Sequence, residues 1–225
     1  MKSNRFFPLA VAILVCWFRP AVGAETNHNF AQWEKEIAAF EKSDLTNPPP
    51  KGAIEFLGSS TIRRWTTLAR DFPGQPVYNR GFGGSEIVDS THFAPRIVFP
   101  YAPRMIVFRA GGNDLWAGKS PEQVFADYQE FVAAVHAKLP ETDIVFISWN
   151  PTPSRWKQHE KEKTLNRLVK NFSEQTPHLK YLETYDLPLG ADGRPRPELF
   201  VADQLHFNAA GYKLLADRVR PIFSQ

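Results

Sequence analysis

Asp203-Gln204-Leu205-His206 sets a carboxylate three residues from an imidazole, just ahead of a stretch with helical spacing. Such a pair can act as a general base and the group that orients it. Three upstream segments carry residues that could complete a site for nucleophilic chemistry. Gly58-Ser59-Ser60 offers two hydroxyls where a strand pattern gives way to a helical one. Either can be a nucleophile beside helix amides, or simply a helix cap. Asn79-Arg80-Gly81-Phe82-Gly83-Gly84-Ser85 is a glycine-rich stretch that lets backbone N–H groups approach a ligand, or makes a tight turn. Arg109-Ala110-Gly111-Gly112-Asn113-Asp114 adds a side-chain amide, a good donor to a developing oxyanion. Each segment alone has an ordinary structural use. The four together supply nucleophile, backbone amide, side-chain amide and base.

They can meet only if the fold gathers them. Short apolar runs over residues 53–57, 75–78, 105–108, 143–148 and 179–183 read as strands. Helical patterns alternate with them: residues 61–72; a run opened by Ser120-Pro121-Glu122-Gln123, which has the form of a capping box; Leu165, Leu168, Val169 and Phe172; and residues 208–219. Phe30, Trp33, Ile37 and Phe40 mark an earlier helix that packs on the core, ended by Asn47-Pro48-Pro49-Pro50. The alternation predicts an α/β fold: a three-layer α/β/α sandwich around a central, mainly parallel five-stranded sheet of flavodoxin-like form. Open parallel sheets bind ligands at the carboxyl ends of their strands, which is where the first three candidate segments fall.

Composition narrows the function classes. The chain has 225 residues with 43% hydrophobic content, which suits one domain. Lys2 and Arg5, an apolar run over residues 6–18, and Ala21-Val22-Gly23-Ala24 predict a signal peptide over residues 1–24, cut after Ala24. One catalytic domain then spans 25–225, with its core at about 53–220, in a secreted or periplasmic protein. The apolar run falls short of the roughly 20 residues of a spanning helix, so no stable membrane span remains after cleavage. The alternative of a lipoprotein through Cys16 is disfavoured by Ile13-Leu14-Val15, which puts no small residue before the cysteine. Lys2, Arg5 and Arg19 account for the whole +3 net charge, so the mature domain is neutral and lacks the basic excess of a nucleic-acid binder. Cys16 is the only cysteine, which excludes disulfides and a thiol nucleophile from the mature chain. His28, His92, His136, His159, His178 and His206 show no metal-ligand spacing, so neither metal nor cofactor is expected. A phosphate-binding loop ending at Gly118-Lys119-Ser120 would need glycine where Asn113 stands. A dinucleotide fingerprint from Gly81 would need one at Glu86.

The order Ser60, Gly84, Asn113, His206 resembles the SGNH hydrolases, also called the GDSL esterase/lipase family. Gly111-Gly112-Asn113-Asp114 is similar to that family's GxND block and Asp203-Gln204-Leu205-His206 to its DxxH block. The stretch from Asn79 to Ser85 looks most like the branch related to platelet-activating-factor acetylhydrolase. The resemblance implies a serine esterase with Ser60 as nucleophile, His206 as base and Asp203 as its orienter. It also implies an oxyanion hole made of the Ser60 and Gly84 amides and the Asn113 side chain. One departure stands out: the family's usual Gly-Asp-Ser is Gly58-Ser59-Ser60 here.

The expected substrate is a small acyl ester, acetyl above all, of a soluble alcohol such as a carbohydrate. Phe82, Trp116 and Trp149, with Trp156, are candidates for substrate contact or for packing loops onto the domain. Arg80, Arg109 and Arg155 could read an anionic substrate, but the expectation for them is structural ion pairs, for example with Glu86 or Asp114. Two alternatives keep the same fold: a non-catalytic carbohydrate- or lipid-binding module, and a lysophospholipase or thioesterase. The oligomeric state is not encoded in any feature of the chain.

Overall fold

Continuous apolar runs suit strands covered on both faces. In the computed structural model, which describes residues 28–224, five such strands form one sheet. They are β1 (Ile54–Gly58), β2 (Val77–Gly81), β3 (Met105–Arg109), β4 (Asp143–Ile147) and β5 (Leu179–Leu182). Every pairing is parallel, and the order is β2-β1-β3-β4-β5. The chain winds outward from β1 to β2 on one side and from β3 to β5 on the other. The change of direction lies between β1 and β3, where sheets of this kind open a crevice at their carboxyl ends.

The helices are α1 (Glu34–Asp44), α2 (Ser60–Arg63), α3 (Leu68–Asp71), α4 (Ile87–Ile97), α5 (Gly112–Trp116), α6 (Pro121–Lys138), α7 (His159–Gln175) and α8 (Ala209–Val219). The strand alternation divides the core. Leu57, Ile106, Phe108, Ile144 and Phe146 face α1, α4, α6 and α7. Ile54, Phe56, Met105, Val107, Val145 and Ile147 face α2, α3 and α8. The result is the three-layer α/β/α sandwich. Phe30, Trp33 and Phe40 pack on the first of these layers around buried Ile37, as a core-packing helix should.

Local chemistry sets the boundaries. Ser120 accepts from the Gln123 amide while the Gln123 side chain accepts from the Ser120 amide, and Pro121 starts α6 where its missing N–H costs nothing. Asn208 caps α8 by accepting from Ala210 and Gly211. Two expectations needed revision. The single helix over 61–72 is two short ones, because buried Trp65 turns inward and its indole N–H, with the Thr67 hydroxyl, bonds the Asp71 carboxylate. Helix α4 lies in a stretch where no element was anticipated. It holds Pro95 in its interior and is started by a reciprocal box between Glu86 and Asp89.

A buried polar cluster sits against the sheet beside α1. Tyr78 donates to Glu55 at 2.9 Å, and Arg80 pairs with Asp44 at 2.6 Å. Burial pushes the Glu55 carboxyl up to about 8; the Tyr78 hydrogen bond and Arg80 oppose the shift, and Asp44 adds to it. Residues 1–24, with Cys16 and the expected cleavage site at Ala24, lie outside the described residues. Among the described residues no helix is long and apolar enough to cross a membrane.

Candidate active site

The turn after β1 is clamped from three directions. Ser59 has extended backbone at the N-terminus of α2, and its carbonyl receives the Ile62 and Arg63 amides. Asn79, in the middle of β2, donates to the Ile62 carbonyl at 2.6 Å. Tyr212 of α8 donates to the Thr61 carbonyl at 2.8 Å. The short α2 is therefore fixed at the crevice mouth, with Ser60 as its first residue. Both serines had an alternative use as caps. Neither takes it: no side-chain cap bond is made at this helix, and the Ser60 hydroxyl lies 2.8 Å from His206 Nε2.

His206 is delivered by a loop pinned on both sides. Phe200 and Phe207 form an antiparallel bridge with their rings stacked at 5.1 Å, and the Ser154 amide donates to the Gln204 carbonyl. Gln204 adopts a left-handed conformation at φ +55°, a strained state for a residue with a Cβ and common at functional turns. That turn lets Asp203 meet its own loop three times. Its Oδ1 accepts from the Leu205 and His206 amides at 2.9 Å, and its Oδ2 lies 2.7 Å from His206 Nδ1. Partial burial opposes ionisation of Asp203. The His206 amide, the His206 ring and the Leu205 amide outweigh it and hold the carboxyl down at about 2. An ionised Asp203 on Nδ1 leaves Nε2 free to accept the Ser60 proton.

Across the crevice, Asn113 enters from α5. Its Nδ2 donates to the Ser85 carbonyl at 3.0 Å, and its Oδ1 accepts from Arg155 Nη1 at 3.1 Å. One Nδ2 hydrogen is left over. Gly84 stands beside Ser85 at φ +92°, a backbone state that favours glycine. Among the described residues the Ser60 and Gly84 amides have no acceptor. Ser60, Gly84, Asn113 and His206 line a single open pocket of about 620 Å³. Adjoining it is a narrower, partly enclosed chamber of about 20 Å³, which shares Ser60, Asn113, Arg155, Leu205 and His206 with the open pocket and has Ser59, Trp149, Asn150, Thr152 and Phe207 among its other walls. An imidazole–carboxylate pair on a serine hydroxyl, facing free N–H donors, is an arrangement able to carry out acyl transfer.

The remaining candidates divide. Trp149 borders the narrow chamber, its indole N–H on the Ala110 carbonyl at 2.8 Å and its ring flush against Gly112. Trp116 is exposed beneath the Arg155 guanidinium, 5.0 Å from ring centre. Trp156 stacks on His159 and lies under Arg194, a loop-packing role. Phe82 is a correction: it is fully buried against Trp33 and Phe93 and presents no surface to a substrate, because the chain at that point turns its side chain into the core.

The arginines make structural contacts, though not with Glu86 or Asp114. Lys119 takes both Glu86 and Asp114, together with Asp127. Arg80 is held by Asp44. Arg109 is buried on the Ser148 carbonyl and Asn150. Arg155 binds the Asn113 amide and the Gly112 carbonyl. Asp114 does not face Ser60. It accepts from the Ile87 amide at the start of α4, and burial pushes its carboxyl up to about 6 against the pull of Lys119. The contact of Arg155 with Asn113 was not legible in spacing, since 42 residues separate the two.

The model of the GDSL-like lipase/acylhydrolase family matches residues 52–214. The chain belongs to this family. Membership makes ester hydrolysis its general activity. No curated protein gives a match. Solved structures share the fold of this GDSL-family chain at low identity. One is from Streptococcus pneumonia, with a provisional description as a platelet activating factor (17% identity, 86% of this chain and 94% of that one, TM-score 0.75). Another is a GDSL-like lipase from Bacteroides thetaiotaomicron (16% identity, 87% and 97%, TM-score 0.67). A third is an acetylxylan esterase from Geobacillus stearothermophilus (16% identity, 75% and 93%, TM-score 0.61).

Proposed function

We propose that this GDSL-family chain is an exported serine esterase that removes small acyl groups, acetyl above all, through an acyl-enzyme. The observation that carries this reading is the continuous relay from Asp203 through His206 to Ser60, with contacts of 2.7 and 2.8 Å. In this mechanism His206 takes the Ser60 proton as Ser60 attacks the ester carbonyl. The Ser60 and Gly84 amides and the spare Asn113 hydrogen stabilise the tetrahedral oxyanion. His206 then protonates the departing alcohol, and water repeats the sequence on the acyl-Ser60 ester, releasing the acid. The roughly one-water size of the chamber beside Ser60 supports a short acyl group. A leader over residues 1–24 followed by one domain over 25–225 completes the proposal, with secretion or periplasmic export as its consequence.

Fluorophosphonate labelling with peptide mass mapping tests it. The expected result is an adduct on Ser60 that is lost in His206→Ala and retained in Ser59→Ala. Folded protein without an adduct would favour the binding-module alternative, and an adduct on Ser59 would overturn the assignment of Ser60. N-terminal sequencing of exported protein should begin at Glu25; an intact Met1 would sink the leader.

A further inference from the structure

Two spaces of very different size meet at Ser60. One is the narrow, partly enclosed chamber of about 20 Å³ and the other the open pocket of about 620 Å³. An ester held by Ser60 must put its acyl group in one and its alcohol in the other, and only the open pocket has room for anything larger than a methyl-sized group. The leaving alcohol therefore occupies the open pocket, on the side of Arg63, Arg64 and Gly83, which line that pocket and not the chamber.

That pocket is strongly one-signed. Arg63, Arg64 and Arg155 line it, and no acidic residue does. The expected mature domain is neutral, so this is a local concentration of charge rather than a general property of the surface. The three cations are not equivalent. Arg155 is committed to Asn113 and the Gly112 carbonyl. Arg64 lies 3.6 Å from Asp203 Oδ2, with both side chains well exposed, a separation too long for a hydrogen bond. Arg63 has no carboxylate or hydrogen-bond partner for its side chain among the described residues. It does not trail into solvent either. Its Nη1 and Cδ lie 2.8 and 3.0 Å from where a Cβ on residue 83 would be, so the absence of a side chain at Gly83 lets the guanidinium lie across the pocket wall.

We propose that the alcohol part of the substrate carries an anionic group, a carboxylate or a phosphate, which Arg63 and Arg64 bind while Ser60 attacks the acyl carbon. This deepens the esterase reading and rests on it. Guanidinium groups suit planar or tetrahedral oxyanions because they offer paired donors in a fixed fork. Binding in the open pocket orients the ester without taking part in proton transfer, so Arg63 and Arg64 are specificity residues.

The test compares matched acetyl esters that differ only in charge. O-acetylated methyl galacturonoside is set against O-acetylated methyl galactoside, and acetylated glycerol 3-phosphate against glycerol monoacetate. The two pairs distinguish a carboxylate from a phosphate. The expected kcat/KM ratio of anionic to neutral ester is about tenfold or more in at least one pair, the size of one charge-assisted contact in a partly open site, and it should shrink as salt is raised. Arg63→Gln and Arg64→Gln should each lower the ratio, the double variant should bring it to about one, and Arg64→Lys should keep most of it. Using a ratio removes any effect of Arg64 on the rate through Asp203. A wild-type ratio of one in both pairs, or a ratio indifferent to the double variant, overturns the proposal while leaving the esterase reading intact. Failure to cleave any of the four esters, together with no fluorophosphonate adduct on Ser60, overturns both.

Discussion

Arg155 donates from Nη1 to Asn113 Oδ1 at 3.1 Å, and this bond fixes which way the Asn113 amide faces. With Oδ1 held by a cation, Nδ2 must point to the Ser85 carbonyl and the crevice. A flipped amide would turn a carbonyl toward the developing oxyanion and repel it. Burial lowers the Arg155 pKa, with Glu162 opposing the shift, yet a guanidinium stays charged at any working pH. Asn113→Ala should cost about 10²–10³ in kcat, as expected for one lost oxyanion donor. Arg155→Met should cost less, about tenfold, because the amide remains but loses its preferred orientation. The double variant should be no slower than Asn113→Ala alone, since both act through the same hydrogen bond. Steady-state rates on a neutral acetyl ester check this, and additive losses would show that Arg155 acts independently of Asn113.

Gly84 is held in place from outside the crevice. A Cβ there would sit 3.1 Å from the Trp33 ring, and φ +92° is strained for any other residue. Gly84→Ala must therefore shift the loop or strain it by about 1–3 kcal/mol, moving the free amide away from the oxyanion position. The expected outcome is a fall in kcat of at least about tenfold, with KM little changed. Rates within twofold of wild type would remove the Gly84 amide from the mechanism.

The parts of the site legible in the sequence are those whose chemistry and chain position coincide. Ser60, Asn113 and Gly84 follow strands, and parallel topology brings such positions together at one sheet edge whatever the loops do. The parallel sheet and most helices were legible for the same reason, since apolar periodicity is a local property. The orientation of Phe82 and the particular partners of the arginines were not. Whether an aromatic in a glycine-rich turn faces the core depends on backbone angles that glycine leaves open, and Phe82 turns inward against Trp33. Which acid an arginine meets depends on loops from different parts of the chain, and Lys119 reached Glu86 and Asp114 first. Helix α4 escaped notice because Pro95 lies within it, a residue that in isolation argues against a helix.

Glu55 predicts how stability depends on pH. Its folded-state pKa of about 8 lies above its ordinary value of 4.5, so the folded protein holds this proton more tightly than the unfolded chain. The associated stability is fully present below about pH 4.5 and is lost as pH rises through about 8. Glu55→Gln keeps the shape and an acceptor for Tyr78 but cannot ionise. Urea midpoints measured at pH 5, 6.5 and 8 should decline in wild type by more than in Glu55→Gln. Parallel declines in the two proteins would mean that Glu55 does not titrate in this range.

Trp149 is expected to limit the length of acyl chain accepted beside Ser60. Its ring forms part of the wall of the chamber of about 20 Å³ and is held in place. The indole N–H is bonded to Ala110, the ring lies 4.5 Å from the Arg109 guanidinium, and Asn166 holds the Trp149 backbone through both its amide and its carbonyl. An acyl chain longer than acetyl must displace this assembly, and overpacking of that kind costs about 1–3 kcal/mol. A series of acetyl, propionyl and butyryl esters of one alcohol should therefore show kcat/KM falling by about tenfold or more from acetyl to butyryl. Trp149→Phe removes the Ala110 bond and part of the ring, so it should narrow the gap by raising the butyryl rate relative to the acetyl rate. Circular dichroism on the variant separates this effect from unfolding. Equal or faster cleavage of butyryl esters by the wild-type protein would show that the acyl group does not enter the chamber at all.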